Sequence, residues 1–147
     1  MKREVYERST IADDFSVFEF YSEGPKGSIL KRAAFFETNV ENVCSLEFGC
    51  VNEDNEIDVT TISDNNDRDI ILATLASIIK QYTSKYPHRW IEFSGSTPSR
   101  TRLYRMAIGL NLEELSKEFL IFGLSGGQLI PFSKNMKASR FIVKRKK

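Results

Sequence analysis

The chain has 147 residues, 41% of them hydrophobic and 12% aromatic, which is the size and apolar content of one domain with one core. Its 21 Lys and Arg nearly balance 20 Asp and Glu, for a formal charge of +1, which excludes a polyelectrolyte that binds nucleic acid or membrane through overall charge. Any charge-driven function is therefore local. The longest apolar stretch, residues 70–79, is interrupted by Thr74 and Ser77 and falls well short of the ~20 residues of a membrane span. The N-terminal MKREVYERST lacks the apolar centre of an export signal. Both observations predict a soluble, cytoplasmic protein with no membrane partner. Cys44 and Cys50 would lie roughly 20 Å apart along an extended strand, too far for a disulfide and suited to a reducing compartment. With His88 alone beside them they make no zinc set, and neither a metal nor a cofactor is expected.

Residues 15–22, FSVFEFYS, put Phe18 and Phe20 on one side of an extended chain and Val17, Glu19 and Tyr21 on the other, the two-residue period of a strand. Gly24, Pro25, Lys26 and Gly27 supply turn chemistry before a second alternating run over 28–38, so the pair reads as a β-hairpin. Polar breaks at 39–42 and 52–55 flank a third strand over 43–50 and precede a fourth over 56–62. The period then changes: Ile71, Leu75, Ile78, Ile79 and Tyr82 fall on one helical face over 67–84. Asn65 or Asn66 is placed to cap this helix, Asp67 and Asp69 complement its dipole, and Pro87 ends it. His88 follows at the helix exit, where a capping or surface role competes with catalysis.

Residues 89–93 read as a fifth strand. Thr97 and Pro98 form the cap and first position of a second helix with Leu103, Met106, Ala107 and Leu110 on its apolar face, ended or bent at Gly109. Asn111 and Glu114 resemble a capping box for a short helix over 112–118. Residues 119–124 and 128–132 flank Ser125, Gly126 and Gly127 as a hairpin, and a last strand over 139–143 follows. The expected fold class is α+β: a mainly antiparallel, twisted sheet in the order β-β-β-β-α-β-α-β-β with the helices packed on one face. Residues 1–147 are expected to form a single domain with 1–12 and 144–147 as flexible ends.

Charge is segregated along the chain. Residues 37–69 hold ten acids against Arg68 alone, and residues 134–147 hold seven bases and no acid. A basic terminus suits phosphate, and equally it suits a solubilising tail attracted to the acidic strands. The segment FSGSTPSRTRLYRM, residues 93–106, joins a strand end to a helix start through small residues. The backbone N–H groups there are placed to meet an anion. Ser96, Thr97 and Ser99 add hydroxyl donors, and Arg100, Arg102 and Arg105 add guanidinium groups, the first two being the better-placed ligands. Asn65, Asn66, Asp67 and Tyr104 are accessory candidates. The competing reading makes Ser-Thr-Pro an ordinary helix start and pairs the arginines with the protein's own carboxylates.

The motifs GPKG at Gly24, SDNNDRD from Ser63 to Asp69, Tyr86-Pro87 and GSTPSRTRLY from Gly95 to Tyr104, in the forms GPKG, SxNNDxD and GSTxxRTRLY, resemble a family of small, uncharacterised bacterial proteins marked as a domain of unknown function. The resemblance implies no activity, but it draws the two helix starts into one pattern. The opening order of four strands and a helix is also similar to half of the Whirly-type fold that binds single-stranded DNA, from which the second half departs. The leading expectation is a binding module that recognises an anionic partner, nucleic acid or a phosphorylated ligand, through the strand-to-helix corner and the basic C-terminus. Two alternatives stand beside it. One is a protein-interaction or antitoxin-like accessory subunit, with a homo-oligomer compatible with the sequence. The other is a small nucleotide- or nucleic-acid-processing enzyme in which Asp67 and His88 converge with the arginines.

Overall fold

Alternation decides which side of the sheet is covered. In a computed structural model describing residues 4–58, 64–93 and 97–146, the strands are β1 (Ser9–Thr10), β2 (Val17–Gly24), β3 (Gly27–Glu37), β4 (Val43–Val51), β5 (Ile57–Asp58), β6 (Trp90–Phe93), β7 (Phe119–Ser125), β8 (Gln128–Pro131) and β9 (Arg140–Arg145). They form one sheet in the order β1-β2-β3-β4-β6-β9-β7-β8, with β5 pairing beside β4. All described pairings are antiparallel except β4 with β6. The α+β, mainly antiparallel architecture expected from the periodicities is the one observed.

The inward residues, among them Phe18, Phe20, Phe35, Leu46, Ile91, Phe93, Phe119, Phe141 and Val143, share one core with the three helices α1 (Arg68–Lys85), α2 (Pro98–Leu110) and α3 (Leu112–Glu118). The helices thus cover one face, and α1 supplies Ile71, Leu75, Ile78, Ile79 and Tyr82 to the core. Tyr82 stacks on Phe35 with ring centroids 3.8 Å apart, and its hydroxyl accepts from the Arg89 guanidinium at 2.6 Å.

Several local expectations are corrected by competition for hydrogen bonds. The N-cap of α1 is Asp67 rather than Asn65 or Asn66, and it makes no side-chain cap bond. Asn111 makes no capping box either: its side-chain amide donates back to the Ala107 carbonyl at 2.8 Å, and Glu114 pairs with Lys80 at 3.1 Å. α2 continues through Gly109 to Leu110. Ser9 and Thr10, expected in a loose end, pair with Glu19 and Phe18, and Lys144 and Arg145 are β9 residues paired to Leu120 and Phe119. Of the fourth expected strand, Ile57 and Asp58 are observed, and residues 59–62 lie outside the described residues. β9 enters between β6 and β7, a return that the sequence order alone does not disclose.

Leu75 is 2% exposed beneath the sheet. Leu75→Ala is expected to lower the unfolding free energy by about 2 to 5 kcal/mol through lost burial and the cavity left behind, read from the urea midpoint by circular dichroism. An unchanged midpoint would contradict the packing of α1. Burial, reinforced by the bond to Cys44, raises the Tyr82 hydroxyl above its ordinary value of 10.0, although Arg89 acts in the opposite direction. A raised value keeps the native phenol protonated while the unfolded one ionises. Its stabilising contribution is therefore complete below pH 10 and is lost as pH rises toward the native value. The urea midpoint is expected to decline above about pH 10, and less steeply in Tyr82→Phe.

Candidate functional site

The inward face of the sheet changes character along its length. Phe18 and Phe20 give way to Ser22 on β2, Phe35 and Ala33 to Lys31 on β3, and Leu46 and Phe48 to Cys50 on β4. Register puts Phe20, Lys31, Cys50 and Asp58 on one rung. Lys31 is 4% exposed, its Nζ donates to Cys50 Sγ at 3.1 Å, and it lies 5.9 Å from the centroid of the Phe48 ring. Burying an ammonium group is costly without polar partners, so this end of the sheet is a polar interior rather than an extension of the core.

Over that end the chain returns to start α1, and Asn65 makes the junction. Its side-chain oxygen accepts from the Lys26 backbone N–H at 2.7 Å, and its amide donates to the Gly27 carbonyl at 2.9 Å and to Ser22 Oγ at 3.2 Å. The β2–β3 turn is thus held by a side chain some forty residues away. A Cβ on Gly24 would stand 1.9 Å from the Asn65 carbonyl oxygen, so the close approach requires glycine there. Gly27 takes φ +86° to close the turn. Asp67 is 6% exposed, and its Oδ2 accepts from Ser22 Oγ and from the Tyr6 hydroxyl, each at 2.5 Å. Burial, followed by the Asp67 bond, raises the Tyr6 hydroxyl above its ordinary range. Asp67 Oδ1 is buried and has no hydrogen-bond partner.

α2 starts opposite. Thr97 caps it, its side-chain oxygen accepting from the Arg100 N–H at 3.2 Å, with Pro98 in the first turn. Arg100, 3% exposed, reaches inward and donates to the carbonyl of Phe48. That carbonyl lies on β4 between the stretch paired with β6, Val43 to Ser45, and the stretch paired with β5, Cys50 and Val51.

Between the two helix starts and the polar end of the sheet lies a cavity of about 630 Å³. Its wall includes Lys31, Asn65, Asn66, Asp67, Ser99, Arg100 and Arg102, with Asp64, Arg68 and Asp69 also on it and Ile70, Ile71, Leu103 and Met106 as its apolar part. Of the anion-binding candidates, Ser99, Arg100 and Arg102 share this wall; Ser96 lies outside the described residues. Thr97 is spent on the cap. Arg105 is not on the wall and donates to the Met136 carbonyl at 3.4 Å. Tyr104 is a core residue, 4% exposed, edge-on to Phe93 at 5.3 Å. Lys31 is the wall residue that the motifs did not single out. Its signal was a charge at an inward position of the Phe35, Ala33, Lys31 alternation.

A groove of about 620 Å³ on the opposite face of the sheet carries Arg32, but that guanidinium is already paired to Glu19 at 2.5 Å. The basic C-terminus is remote from the cavity. Arg145 donates to the Lys80 carbonyl at 2.8 Å and pairs with Glu118 at 3.3 Å, and Lys80 stands about 18 Å along α1 from Arg68 at 1.5 Å per residue. Arg145 at the end of β9 is therefore not on the cavity wall. His88, exposed beyond the far end of the 18-residue α1, is separated from Asp67 by a helix about 27 Å long, and the two cannot share a cleft. Among the described residues, no group of three or more His, Cys, Asp or Glu is placed to hold a metal ion, and no helix is long and apolar enough to cross a membrane.

A protein-family model matches residues 2–146. The chain belongs to the DUF6934 family, a family of unknown function. No curated protein and no solved structure matches it. In this DUF6934 chain, the segments GPKG and SDNNDRD meet at Asn65, and residues of SDNNDRD and GSTPSRTRLY stand on the wall of one cavity.

Asn65→Ala would leave the Lys26 N–H and the Gly27 carbonyl without their side-chain partner. A loss of about 1 to 3 kcal/mol is expected, read by thermal unfolding. Gly24→Ala, which forces the turn away from Asn65, is expected to destabilise as well. A melting temperature unchanged in both variants would contradict the junction.

Proposed function

We propose that this chain binds a small phosphorylated ligand in the cavity between the starts of α1 and α2. The observation that carries the reading is the burial of two cationic side chains, Lys31 and Arg100, in the wall of one cavity at the first turn of α2. A guanidinium and an ammonium gathered on one wall at a helix start suit the oxygens of a phosphoryl group. Arg102 and Ser99, both exposed on the same wall, add an adjustable fork and a hydroxyl. The volume lies within the roughly 300 to 1,000 Å³ of small-molecule sites.

The same features favour a small ligand over a nucleic-acid strand. The cations are recessed rather than spread along a surface, and the basic residues of β9 are committed to Glu92, Glu118 and backbone carbonyls. The wall at the start of α1 carries Asp64, Asp67 and Asp69 with Arg68 among them, and the wall at α2 carries Arg100 and Arg102 with no acid.

Inorganic pyrophosphate, titrated calorimetrically at low ionic strength, is expected to bind with salt-sensitive affinity. Arg102→Glu should weaken it about tenfold or more, the scale of one charge-assisted hydrogen bond. Arg105→Glu, off the cavity wall, should leave it unchanged. Tighter binding of a single-stranded oligonucleotide that survives Arg102→Glu would overturn the reading in favour of nucleic acid.

A second reading, a protein-interaction subunit, is favoured by the edge strand β8. Leu129 and Ile130 there are 49% and 40% exposed on a strand paired only with β7 among the described residues. A molecular mass that rises with concentration in sedimentation, and falls back in Ile130→Lys, would support it; a concentration-independent monomer would remove it.

A further inference from the structure

We propose that the face of the sheet turned away from the three helices docks against the same face of a second copy of this chain, a contact distinct from the cavity and from pairing along the edge of β8. Register defines the face. One outward rung runs through Phe36, Ser45, Glu92, Ile142, Phe122 and Pro131 across six neighbouring strands. The rung beside it carries Val43, Trp90, Lys144 and Leu120, and the one on its other side ends in Leu124 and Leu129. An antiparallel sheet that meets water on one side ordinarily alternates to polar residues there. Here the outward positions stay mainly apolar from β3 to β8, and Phe36, Leu120 and Leu129 are exposed. The core shared with α1, α2 and α3 lies on the opposite face, so the helices leave this one open. A contiguous apolar surface of this kind marks a contact site.

Area and charge select the occupant. With strands about 4.8 Å apart and rungs about 6.8 Å apart, three rungs across six strands cover about 600 Å² once side-chain margins are included. Two such faces bury about 1,200 Å² between them, the lower end of the range for specific protein–protein interfaces. Charges on the face are met within the chain: Arg140 pairs with Glu92 at 3.0 Å, and the Lys144 ammonium donates to the carbonyls of Pro87 and Arg145 at 3.2 and 3.1 Å. The surface therefore suits an apolar partner rather than a charged one. It is also complementary to itself. Stacked sheets keep their strands nearly aligned, and a two-fold axis along the strands between β6 and β9 lays β6 of one copy over β9 of the other and β4 over β7. Trp90 then meets Lys144 of the second copy, a cation over an indole, and Val43 meets Leu120, with no like charges opposed on these rungs.

The chain's one tryptophan, Trp90, lies on the face and reports on it. Sedimentation velocity is expected to show a monomer–dimer equilibrium, with Trp90 emission moving to shorter wavelength as the dimer fills. Leu120→Glu and Phe36→Glu should each raise the dissociation constant about a hundredfold or more, because a two-fold axis buries each new carboxylate twice. Ile130→Lys, at the β8 edge, should leave it unchanged. Circular dichroism checks the fold of both exposed-site variants, and should one unfold, the other and the Trp90 emission decide. A dimer lost in Ile130→Lys but kept in Leu120→Glu, with constant Trp90 emission, overturns the inference in favour of the β8 edge. A monomer at every concentration also overturns it, and one whose Trp90 emission shifts on phosphatidylcholine vesicles reassigns the face to a lipid surface. Pyrophosphate binding at the cavity is independent of each of these outcomes.

Discussion

The hydrogen-bonded junction of Asn65 and Asp67 with the β2–β3 hairpin is the constraint on which the rest of the structure depends. A hairpin at the edge of a sheet has its own turn, but nothing local ties its tip to a helix that begins four segments later. Asn65 does so with bonds to Lys26 and Gly27, and Asp67 adds Ser22 and Tyr6. α1 starts after Asp67 without a side-chain cap bond, and among the described residues Oδ1 of Asp67 has no hydrogen-bond partner. The pattern is one of local energy forgone where tertiary contacts fix a geometry, the arrangement that functional sites in folded proteins commonly show.

The polar end of the sheet follows from the same junction. Were Ser22, Lys31 and Cys50 replaced by residues like Phe20 and Phe48, the inward rungs would close over and α1 would seat directly upon them. Instead the rungs hold a hydroxyl, an ammonium and a thiol, the helix start is hydrogen-bonded to the hydroxyl, and Lys31 stands on the wall of the cavity beside it. Arg100 reaches in from α2 to donate to the Phe48 carbonyl of β4. The apolar core beneath the middle of α1 therefore supplies the stability, and the end of the same face supplies the chemistry.

Most of the element sequence was legible because period-2 and period-3.6 patterns are local. The alternation of Phe18 and Phe20, the arc of Ile71, Leu75 and Ile78, and the Thr97-Pro98 start each depend on neighbours within one turn or a few residues. Strand order was less legible: β9 returns between β6 and β7 because its inward Phe141 and Val143 fill the core beside Ile91 and Ile121, a non-local condition. The site was legible in part. Ser99, Arg100 and Arg102 could be read as anion ligands from the helix start, whereas the burial of Arg100 depends on a carbonyl fifty residues away. Lys31 sat in plain view as a cation on an inward rung, and the apparent equivalence of Arg100, Arg102 and Arg105 is resolved only by which helix face meets the sheet.

Charge segregation along the chain has a different spatial meaning from the linear one. The basic run at the C-terminus enters the sheet as β9, where Arg140 pairs with Glu92 beside the end of β6 and Arg145 with Glu118 beside the far end of α1. The acidic run ends at the start of α1, opposite the arginines of α2. Across the cavity, Asp64, Asp67, Arg68 and Asp69 at the start of α1 face Arg100 and Arg102 of α2, with Lys31 on β3. Charges recessed in such a wall are screened less than charges on the open surface. The field at the cavity is therefore set by the mixed charges of two helix starts and one inward strand position, not by the net charge of either run along the chain.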